Sequence, residues 1–121
     1  KDASGNLVNP AGVSKTFYVE DETKLIDMFN YPNPFEDDTY FTFKLTQIPD
    51  ELKINVYTVA GRLVKEINIM QSELNYDFNK IYWDGKDEDG DKLGNGVYFY
   101  KVIMKAGDEI NQSIHKMAIL K

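Results

Sequence analysis

The sequence predicts an all-β protein, an antiparallel sandwich of about seven short strands. Runs in which apolar and polar residues alternate recur at roughly 8–12-residue spacing, a pattern typical of sandwiches, and Gly, Asn, Asp or Pro separates them. No stretch shows the periodicity of an amphipathic helix, so helix content should be close to nil. The run over residues 96–104 is apolar or aromatic on both faces apart from Lys101. It is therefore expected to be a central strand covered on both sides.

Composition narrows the class of protein further. A chain of 121 residues with 42% hydrophobic and 13% aromatic residues is large enough for one domain with a buried core. The net charge of −6 argues against a nucleic-acid partner, because a phosphate backbone attracts basic surfaces. The lack of cysteine excludes disulfides, thiolate metal sites and cysteine nucleophiles. No apolar run approaches ~20 residues, so no membrane-spanning helix is predicted.

Two regions are expected along the chain. Residues 1–28 are interpreted as an N-terminal strand and linker, and residues 29–121 as the sandwich domain. A short strand is predicted over residues 14–20, where Phe17 and Val19 lie at alternate positions. It belongs either to the last hairpin of a preceding β-domain or is the first strand of the present domain, and both interpretations stay open. Because the sequence begins with lysine and has no signal peptide, we expect a piece of a longer protein.

Three segments are predicted to be half-buried strands because their apolar residues alternate. The buried faces are expected to consist of Phe41, Phe43 and Leu45 in the first, Leu52, Ile54 and Val56 in the second, and Leu63, Ile67 and Ile69 in the third. The segment Tyr31-Pro32-Asn33-Pro34-Phe35 should lie at a sheet edge, because two prolines remove backbone donors. Tyr31 and Phe35 are its expected anchors.

The segment between residues 83 and 96 is polar, acidic and rich in glycine. Strand-like runs over residues 79–83 and 96–104 flank it, and we expect them to form an antiparallel pair in the middle of the sandwich. The clustered carboxylates raise a calcium hypothesis, since hard cations take oxygen ligands. The spacing fails the EF-hand template, so only a looser site over Asp84, Asp87, Asp89 and Asp91 is considered. The alternative is a solvated turn.

The residues predict no catalytic centre and no cofactor. His115 is the single histidine, and it lies on the terminal strand among apolar neighbours. A hydrolytic centre needs a nucleophile, a base and an orienting group, and the acidic residues crowd one or two turns rather than opposing each other. The many tyrosines and phenylalanines could instead stack on sugar rings, although most are expected to fill the core. A carbohydrate-binding or adhesive module is therefore an alternative function.

Four stretches carry a resemblance to a known family. They are Asn30-Tyr31-Pro32-Asn33-Pro34-Phe35 before a strand, Val56-Tyr57-Thr58-Val59-Ala60-Gly61-Arg62-Leu63-Val64-Lys65, Trp83-Asp84-Gly85-Lys86-Asp87 with Gly94-Asn95-Gly96-Val97-Tyr98-Phe99-Tyr100, and Lys116-Met117-Ala118-Ile119-Leu120-Lys121. In this order they resemble the C-terminal sorting domain of the type IX secretion system, which is related to the immunoglobulin-like domain of flagellar hook-capping proteins. The resemblance covers about residues 29–121.

This resemblance implies a seven-stranded immunoglobulin-like sandwich at the end of a larger exported protein. Such a domain is an address that the type IX translocon and the shuttle and sortase proteins of the outer membrane recognise. It implies a location at the cell surface or outside the cell. The loop before Gly96 looks most like the tails of gingipain-like cysteine peptidases, the clan of the sortase, and this fragment has no Cys/His pair of its own.

The resemblance also implies recognition positions, although it assigns them no separate roles. They are Tyr31, Pro32, Asn33, Pro34, Phe35, Gly61, Gly96, Val97, Tyr98, Lys116, Met117, Ala118, Ile119, Leu120 and Lys121. A carrier could capture the terminal strand, residues 113–121, as an added strand of its own sheet. It could equally recognise the surface of the folded domain. A purely structural spacer, like a hook-cap domain, is a further alternative.

Overall fold

A computed structural model describes residues 24–121, which form seven β-strands in two antiparallel sheets. The all-β, immunoglobulin-like prediction is confirmed. The strands are β1 (Leu25–Tyr31), β2 (Thr39–Leu45), β3 (Glu51–Thr58), β4 (Leu63–Met70), β5 (Asn79–Trp83), β6 (Gly96–Ala106) and β7 (Glu109–Ile119). Within residues 24–121, a 3₁₀ turn at Gln71–Glu73 is the only helical segment. No helix in this range is long and apolar enough to cross a membrane.

The two sheets differ in size. The small sheet has the order β1-β2-β5, and the large sheet has the order β4-β3-β6-β7. Both sheets are antiparallel throughout. Among the described residues, the edge strands are β1 and β5 in the small sheet and β4 and β7 in the large sheet. The run over residues 96–104, predicted to be a central strand, does become an inner strand, β6, between β3 and β7.

The core lies between the sheets and follows the predicted alternation on β2 and β3. Phe41, Phe43 and Leu45 of β2 are buried, as are Leu52, Ile54 and Val56 of β3. Across the core, β6 contributes Tyr98, Tyr100, Val102 and Met104, and β7 contributes Met117 and Ile119. Since both sheets place every second residue inward, one apolar layer holds them together.

The expected pairing of the two strands around the acidic loop is wrong. β5 pairs with β2 in the small sheet, whereas β6 pairs with β3 and β7 in the large sheet. Residues 84–95 therefore cross from one sheet to the other. Alternation in a sequence identifies the buried face of a strand but not its neighbour, and a loop this long does not enforce a hairpin.

The expectation that β6 is covered on both faces is also wrong for the described residues. Its outward side chains, among them Phe99, Lys101 and Ile103, are half-buried, and Val97 is 43% exposed. A two-layer sandwich covers only the inner face of each sheet. The outward side chains shield one another instead: Lys101 Nζ lies 5.6 Å from the ring centre of Tyr57.

On β4 the predicted face is correct for Ile69 and wrong for Leu63. A register shift between Val56 and Tyr57 in the β3–β4 ladder marks a bulge. A bulge moves the following residues to the opposite face. Val64 is consequently buried, and Leu63 is 47% exposed.

The predicted boundary after residue 28 falls inside β1, whose first residue, Leu25, pairs with Leu45 of β2. Residues 25–28 are thus part of the small sheet. The division of the chain into two regions stays a prediction, and the strand predicted over residues 14–20 lies outside the described residues.

Candidate recognition site at one pole of the sandwich

Most of the sequence-predicted positions meet at one end of the sandwich, here called the C-terminal pole. β1, β3, β5 and β7 end at this pole, and β2, β4 and β6 begin there. The ladder shows this directly, because Tyr31 pairs with Tyr40, Thr39 with Trp83, Thr58 with Tyr98 and Gly96 with Ile119. Four stretches that are far apart in the sequence therefore share one surface.

The proline-containing segment after β1 packs along the end of β7. The Phe35 N–H donates to the Ala118 carbonyl at 3.1 Å, and the Leu120 N–H donates to the Phe35 carbonyl at 2.9 Å. Asn33 Oδ1 accepts a hydrogen bond from the Ala118 N–H at 3.0 Å. Pro32 and Pro34 have no N–H to offer, so Asn33 and Phe35 make these bonds. The predicted sheet-edge placement is correct, and the segment links the small sheet to the large one.

Buried polar side chains hold this segment from the other side. Thr39 Oγ1 donates to the Pro32 carbonyl at 2.9 Å, and Asn30 Nδ2 approaches the same oxygen at 3.3 Å. Thr39 is 0% exposed and Asn30 is 5% exposed. These contacts are partly buried, and a carbonyl left unpaired in a buried site costs about 1–3 kcal/mol. The backbone at Pro32 is thus fixed by two residues to which the sequence analysis assigned no role.

The loop before β6 holds the last residue of the chain. The Lys121 N–H donates to Asn95 Oδ1 at 2.9 Å, and Lys121 Nζ donates to the Leu93 carbonyl at 2.8 Å. The Tyr98 hydroxyl donates to the Gly94 carbonyl at 2.9 Å, which fixes the same loop. The third and fourth resemblance stretches therefore contact each other directly.

An aromatic cluster forms the floor of the pole. Trp83 lies edge-on to Phe35 at 5.7 Å and stacked on Phe41 at 6.0 Å between ring centres. Its indole N–H donates to the Lys86 carbonyl at 3.1 Å, so the buried ring has a satisfied donor. Gly85, two residues after Trp83, has a φ of +73°. The pole thus rests on packed side chains rather than on a cleft.

The predicted recognition positions divide into buried and exposed groups. Phe35, Tyr98, Met117 and Ile119 are at most 9% exposed, so they support the fold. Tyr31 is 74% exposed, Leu120 is 61% exposed and Val97 is 43% exposed. The remaining exposed positions are Pro32, Asn33, Pro34, Gly61, Gly96, Lys116 and Lys121, and Ala118 is half-buried. Only the exposed group is available to a partner.

Gly61 lies at the same pole but away from β7. It sits in the β3–β4 hairpin with φ of +93°, and its N–H donates to the Thr58 carbonyl at 2.9 Å. A positive φ in a tight turn favours glycine. The structure accounts for Gly61 by this turn.

A row of tyrosines on the outer face of the small sheet was missed by the sequence analysis. Tyr31, Tyr40 and Tyr82 are consecutive in the ladder, and the rings of Tyr40 and Tyr82 are 5.4 Å apart. The Tyr82 hydroxyl donates to Asp38 Oδ2 at 3.0 Å, and this hydrogen bond raises the pKa of Tyr82. The signal was present, since Tyr40 alternates with buried Thr39 and Phe41.

The acidic loop forms turns. Asp87 Oδ1 accepts hydrogen bonds from the N–H groups of Asp89 and Asp91, both at 2.9 Å, and Asp84 Oδ1 accepts one from Lys86 at 3.1 Å. Such bonds to the local backbone are typical of Asp in turns. Within residues 24–121 no three His, Asp or Glu side chains are close enough to share a metal ion. The calcium hypothesis gains no geometric support here.

His115 is packed as a strand residue. Its ring stacks on Tyr100 with 5.1 Å between ring centres, and Nε2 lies 2.9 Å from Ser113 Oγ. Burial lowers the pKa of His115 and raises the pKa of Tyr100 to about 12. Both groups are therefore neutral at neutral pH and complete the edge of the core.

Comparisons with known proteins agree with this architecture. The profile of the FlgD Ig-like domain family matches residues 30–108. The dimeric latent PorU of Porphyromonas gingivalis is similar in structure, with a TM-score of 0.69, 24% identity and coverage of 82% of this chain. PorZ is described as an essential bacterial surface component of the type-IX secretion system of the same organism. It has a TM-score of 0.53, 17% identity and coverage of 78% of this chain. FlgD of P. aeruginosa has a TM-score of 0.49, 19% identity and coverage of 84% of this chain.

The similarities to PorU and PorZ support the fold of the domain and say nothing of the activity of a whole protein. The chain covers 9% of the length of PorU, 11% of PorZ and 65% of FlgD. A comparison with curated protein sequences gives no match. Because the family profile covers well over half of the sequence, this chain belongs to the FlgD Ig-like domain family.

Proposed function

We propose that this domain is a non-catalytic sorting domain of an exported protein, recognised by the type IX translocon and its associated outer-membrane proteins. The observation that supports it best is the convergence of the four resemblance stretches on the C-terminal pole. There, Asn33 and Phe35 bind the backbone of Ala118 and Leu120. The structural similarity to a domain of PorZ supports a secretion-related context.

Within this proposal, the carrier recognises a folded surface rather than a free terminal strand. The backbone groups of Ala118 and Leu120 are already engaged by Asn33 and Phe35. Capture of these residues as an added strand would first break three hydrogen bonds and would expose the buried Met117 and Ile119. The exposed label would instead consist of Tyr31, Leu120 and their neighbours.

The proposal extends to the parent protein. Residues 29–121 would form its C-terminal address, residues 1–28 would be the link to what precedes, and the protein would be exported to the cell surface or released. A gingipain-like cysteine peptidase is the proposed parent, with its catalytic residues on sequence outside this chain. The resemblance of the loop before Gly96 supports this assignment.

A reporter protein fused to residues 24–121 tests the proposal in a bacterium that has the type IX machinery. Deleting residues 114–121 would be ambiguous, because it removes Met117 and Ile119 from the core. Leu120→Asp and Tyr31→Ser change exposed side chains instead. Met70→Asp is the matched control, since Met70 is 69% exposed and lies at the opposite end of β4.

We expect both pole variants to fold with an unchanged Tm and to be exported at least tenfold less than the wild type, whereas Met70→Asp is exported normally. Normal export of a reporter that lacks the domain would reject sorting altogether. Normal export of both pole variants would reject the pole as the recognised surface.

The tyrosine row supports a second candidate function, a carbohydrate-binding module. Aromatic rings on a sheet surface can stack on sugars, and Tyr31 and Tyr82 are 74% and 53% exposed. However, the rings of Tyr40 and Tyr82 are inclined by 61°, so they do not form a flat platform. A glycan array distinguishes the candidates: binding that Tyr31→Ala and Tyr82→Ala abolish would favour the carbohydrate function.

A further inference from the structure

The two edges of the large sheet differ in how their outward backbone groups are used. On β4 the Glu66 N–H donates to Glu88 Oε2 at 2.7 Å, and the Glu88 N–H donates to the Val64 carbonyl at 3.1 Å. Further along, the Met70 N–H donates to Glu73 Oε1 at 2.9 Å. Covered edges of this kind are protected against pairing with another strand.

Among the described residues, the β7 edge is covered only near its end. Because the Ala118 N–H points away from β6 to Asn33, the period of two in a strand also directs the N–H and C=O groups of residues 110, 112, 114 and 116 outward. Among residues 24–121, no hydrogen bond to the outward groups of these four positions is formed. A strand edge of this length is a template for another strand.

Apolar side chains line the same open edge. Ile110 is 59% exposed and Ile114 is 66% exposed, and both point to the outer face of the large sheet. Gln112 lies between them on that face. An open backbone edge flanked by exposed isoleucines is the pattern of an association surface.

We propose that two copies of this chain associate through β7, antiparallel, about a two-fold axis at Gln112. This pairing would join the two large sheets into one continuous sheet. It would place Gln112 opposite the partner's Gln112, and Ile110 opposite the partner's Ile114, twice by symmetry. In each of these pairs, the backbone N–H and C=O groups point away from β6 and toward the other copy. The two paired residues can therefore exchange two N–H···O bonds. The proposal does not rest on the sorting function.

The charges beside this register are complementary. Asp108, in the turn before β7, would face the partner's Lys116, which carries the opposite charge, and Glu109 would face the partner's uncharged His115. None of these residues has an ion pair within residues 24–121, where the bridges are Lys44–Asp27, Lys53–Glu66, Lys65–Glu88 and Lys92–Asp37. A self-complementary pattern is what a two-fold interface requires.

Neighbouring registers fit less well. An axis at Ile114 would place Ile110 opposite the partner's Ala118, whose edge Asn33 and Phe35 already occupy. A shift by one residue would bring together positions whose backbone groups point inward, to β6. With the axis at Gln112, the partner's β7 hairpin ends beside Ala118, where the proline-containing segment begins.

Analytical ultracentrifugation of the full chain tests association. Since the paired segment is short, we expect a weak, concentration-dependent dimer. Ile114→Lys should raise the dissociation constant of the dimer at least tenfold. It should leave Tm unchanged, because it replaces an exposed side chain. Met70→Lys, equally exposed on the protected β4 edge, should leave association unchanged.

Cysteine crosslinking tests the register, and the chain has no cysteine of its own. Paired residues in an antiparallel ladder have Cα atoms roughly 5.5 Å apart, within reach of a disulfide. Gln112→Cys should therefore form a disulfide-linked dimer under mild oxidation, whereas Ile110→Cys and Ile114→Cys should do so only when mixed. Lys116→Glu should weaken the dimer, and adding Asp108→Lys should restore it.

A chain that sediments as a monomer at millimolar concentration would overturn the proposal. So would a dimer that Ile114→Lys leaves intact, or crosslinking of Met70→Cys as fast as that of Gln112→Cys.

Discussion

At the residue scale, Gly85 shows how closely the chain segments at the C-terminal pole approach each other. A Cβ built on Gly85 would lie 2.5 Å from the Asp37 carbonyl oxygen and 3.3 Å from the Phe35 ring. Its φ of +73° adds the cost of the left-handed region. Gly85→Ala should therefore destabilise the domain by about 3 kcal/mol in urea unfolding, from the backbone clash and the φ strain together.

Gly90 provides the matched control for this prediction. It also has a positive φ, +86°, but no atom lies within 4 Å of its Cβ position. Gly90→Ala should cost only the φ strain, about 1 kcal/mol. Equal losses for the two variants would contradict the close approach at Gly85.

His115 should make stability depend on pH below neutrality. Burial lowers its pKa, so the unfolded chain takes up the proton at a higher pH than the folded domain does. The contribution of neutral His115 is fully present above about pH 6.5 and is lost as the pH falls below that value. Urea midpoints of wild type and His115→Gln, measured at about pH 7.5 and 5.5, should show a smaller decrease in the variant. Equal decreases would contradict the burial of this ring.

Residue-level predictions from the sequence succeeded where a side chain alternates within one strand. Phe41, Phe43 and Ile54 were placed inward and are buried. Leu63 was placed inward and is exposed, because the bulge opposite Tyr57 has no sequence signal of its own. No role was predicted for Thr39 or Asn30, since both donate to the Pro32 carbonyl and a sequence motif does not show which backbone group a side chain binds.

At the element scale, the segment between β1 and β2, here called the strap, forms hydrogen bonds with the backbone at the end of β7. Asn33→Ala should remove the acceptor of the Ala118 N–H. We expect a loss of about 1 kcal/mol, because the site is exposed and water can replace the amide. Glu36→Ala is the control, since Glu36 is an exposed side chain of the same segment. A chemical-denaturation series measures both, and an unaffected Asn33→Ala variant would indicate that the strap is held by Phe35 alone.

The strand order could not be predicted from the sequence. Each strand was visible from its alternation, but β5 and β6 were assigned to one sheet because they are neighbours in the chain. In the folded domain Phe41 of β2 pairs with Ile81 of β5, and Tyr100 of β6 pairs with Val56 of β3. These long-range pairings depend on how the faces of several strands are buried against one another. The sequence of a single strand does not contain that information.

At the scale of the whole molecule, the last part of β7 belongs to the core. Deleting residues 117–121 removes Met117 and Ile119, which are 1% and 2% exposed. Loss of a buried aliphatic side chain costs about 2–5 kcal/mol, and a domain of this size has about 5–15 kcal/mol in total. The truncated chain should therefore lose the cooperative thermal transition of the full domain.

Deleting Lys121 alone is the control for this truncation. Lys121 is exposed and contributes the hydrogen bonds to Leu93 and Asn95, so its loss should lower Tm only slightly. If the longer truncation also melts cooperatively near the wild-type Tm, the terminal residues are not part of the core.

The convergence at the pole was only partly accessible from the sequence. The resemblance identified Asn33, Phe35, Ala118 and Leu120 as notable positions, and the structure shows that they bind one another. Their separation along the chain hides this contact, because alternation and turn signals are local. The outward position of Tyr40 was visible from the alternation within β2, but the row was not, since Tyr31, Tyr40 and Tyr82 come from three strands.

Amide hydrogen exchange at the pole tests most directly whether the end of β7 is held as a folded surface. The informative amides are those of Phe35 and Leu120, which donate to the Ala118 and Phe35 carbonyls. We expect both to exchange as slowly as the β6 amides, through opening of the whole domain. Exchange at the rate of an unstructured peptide, while β6 stays protected, would contradict the account and would favour a terminal strand that is free for capture.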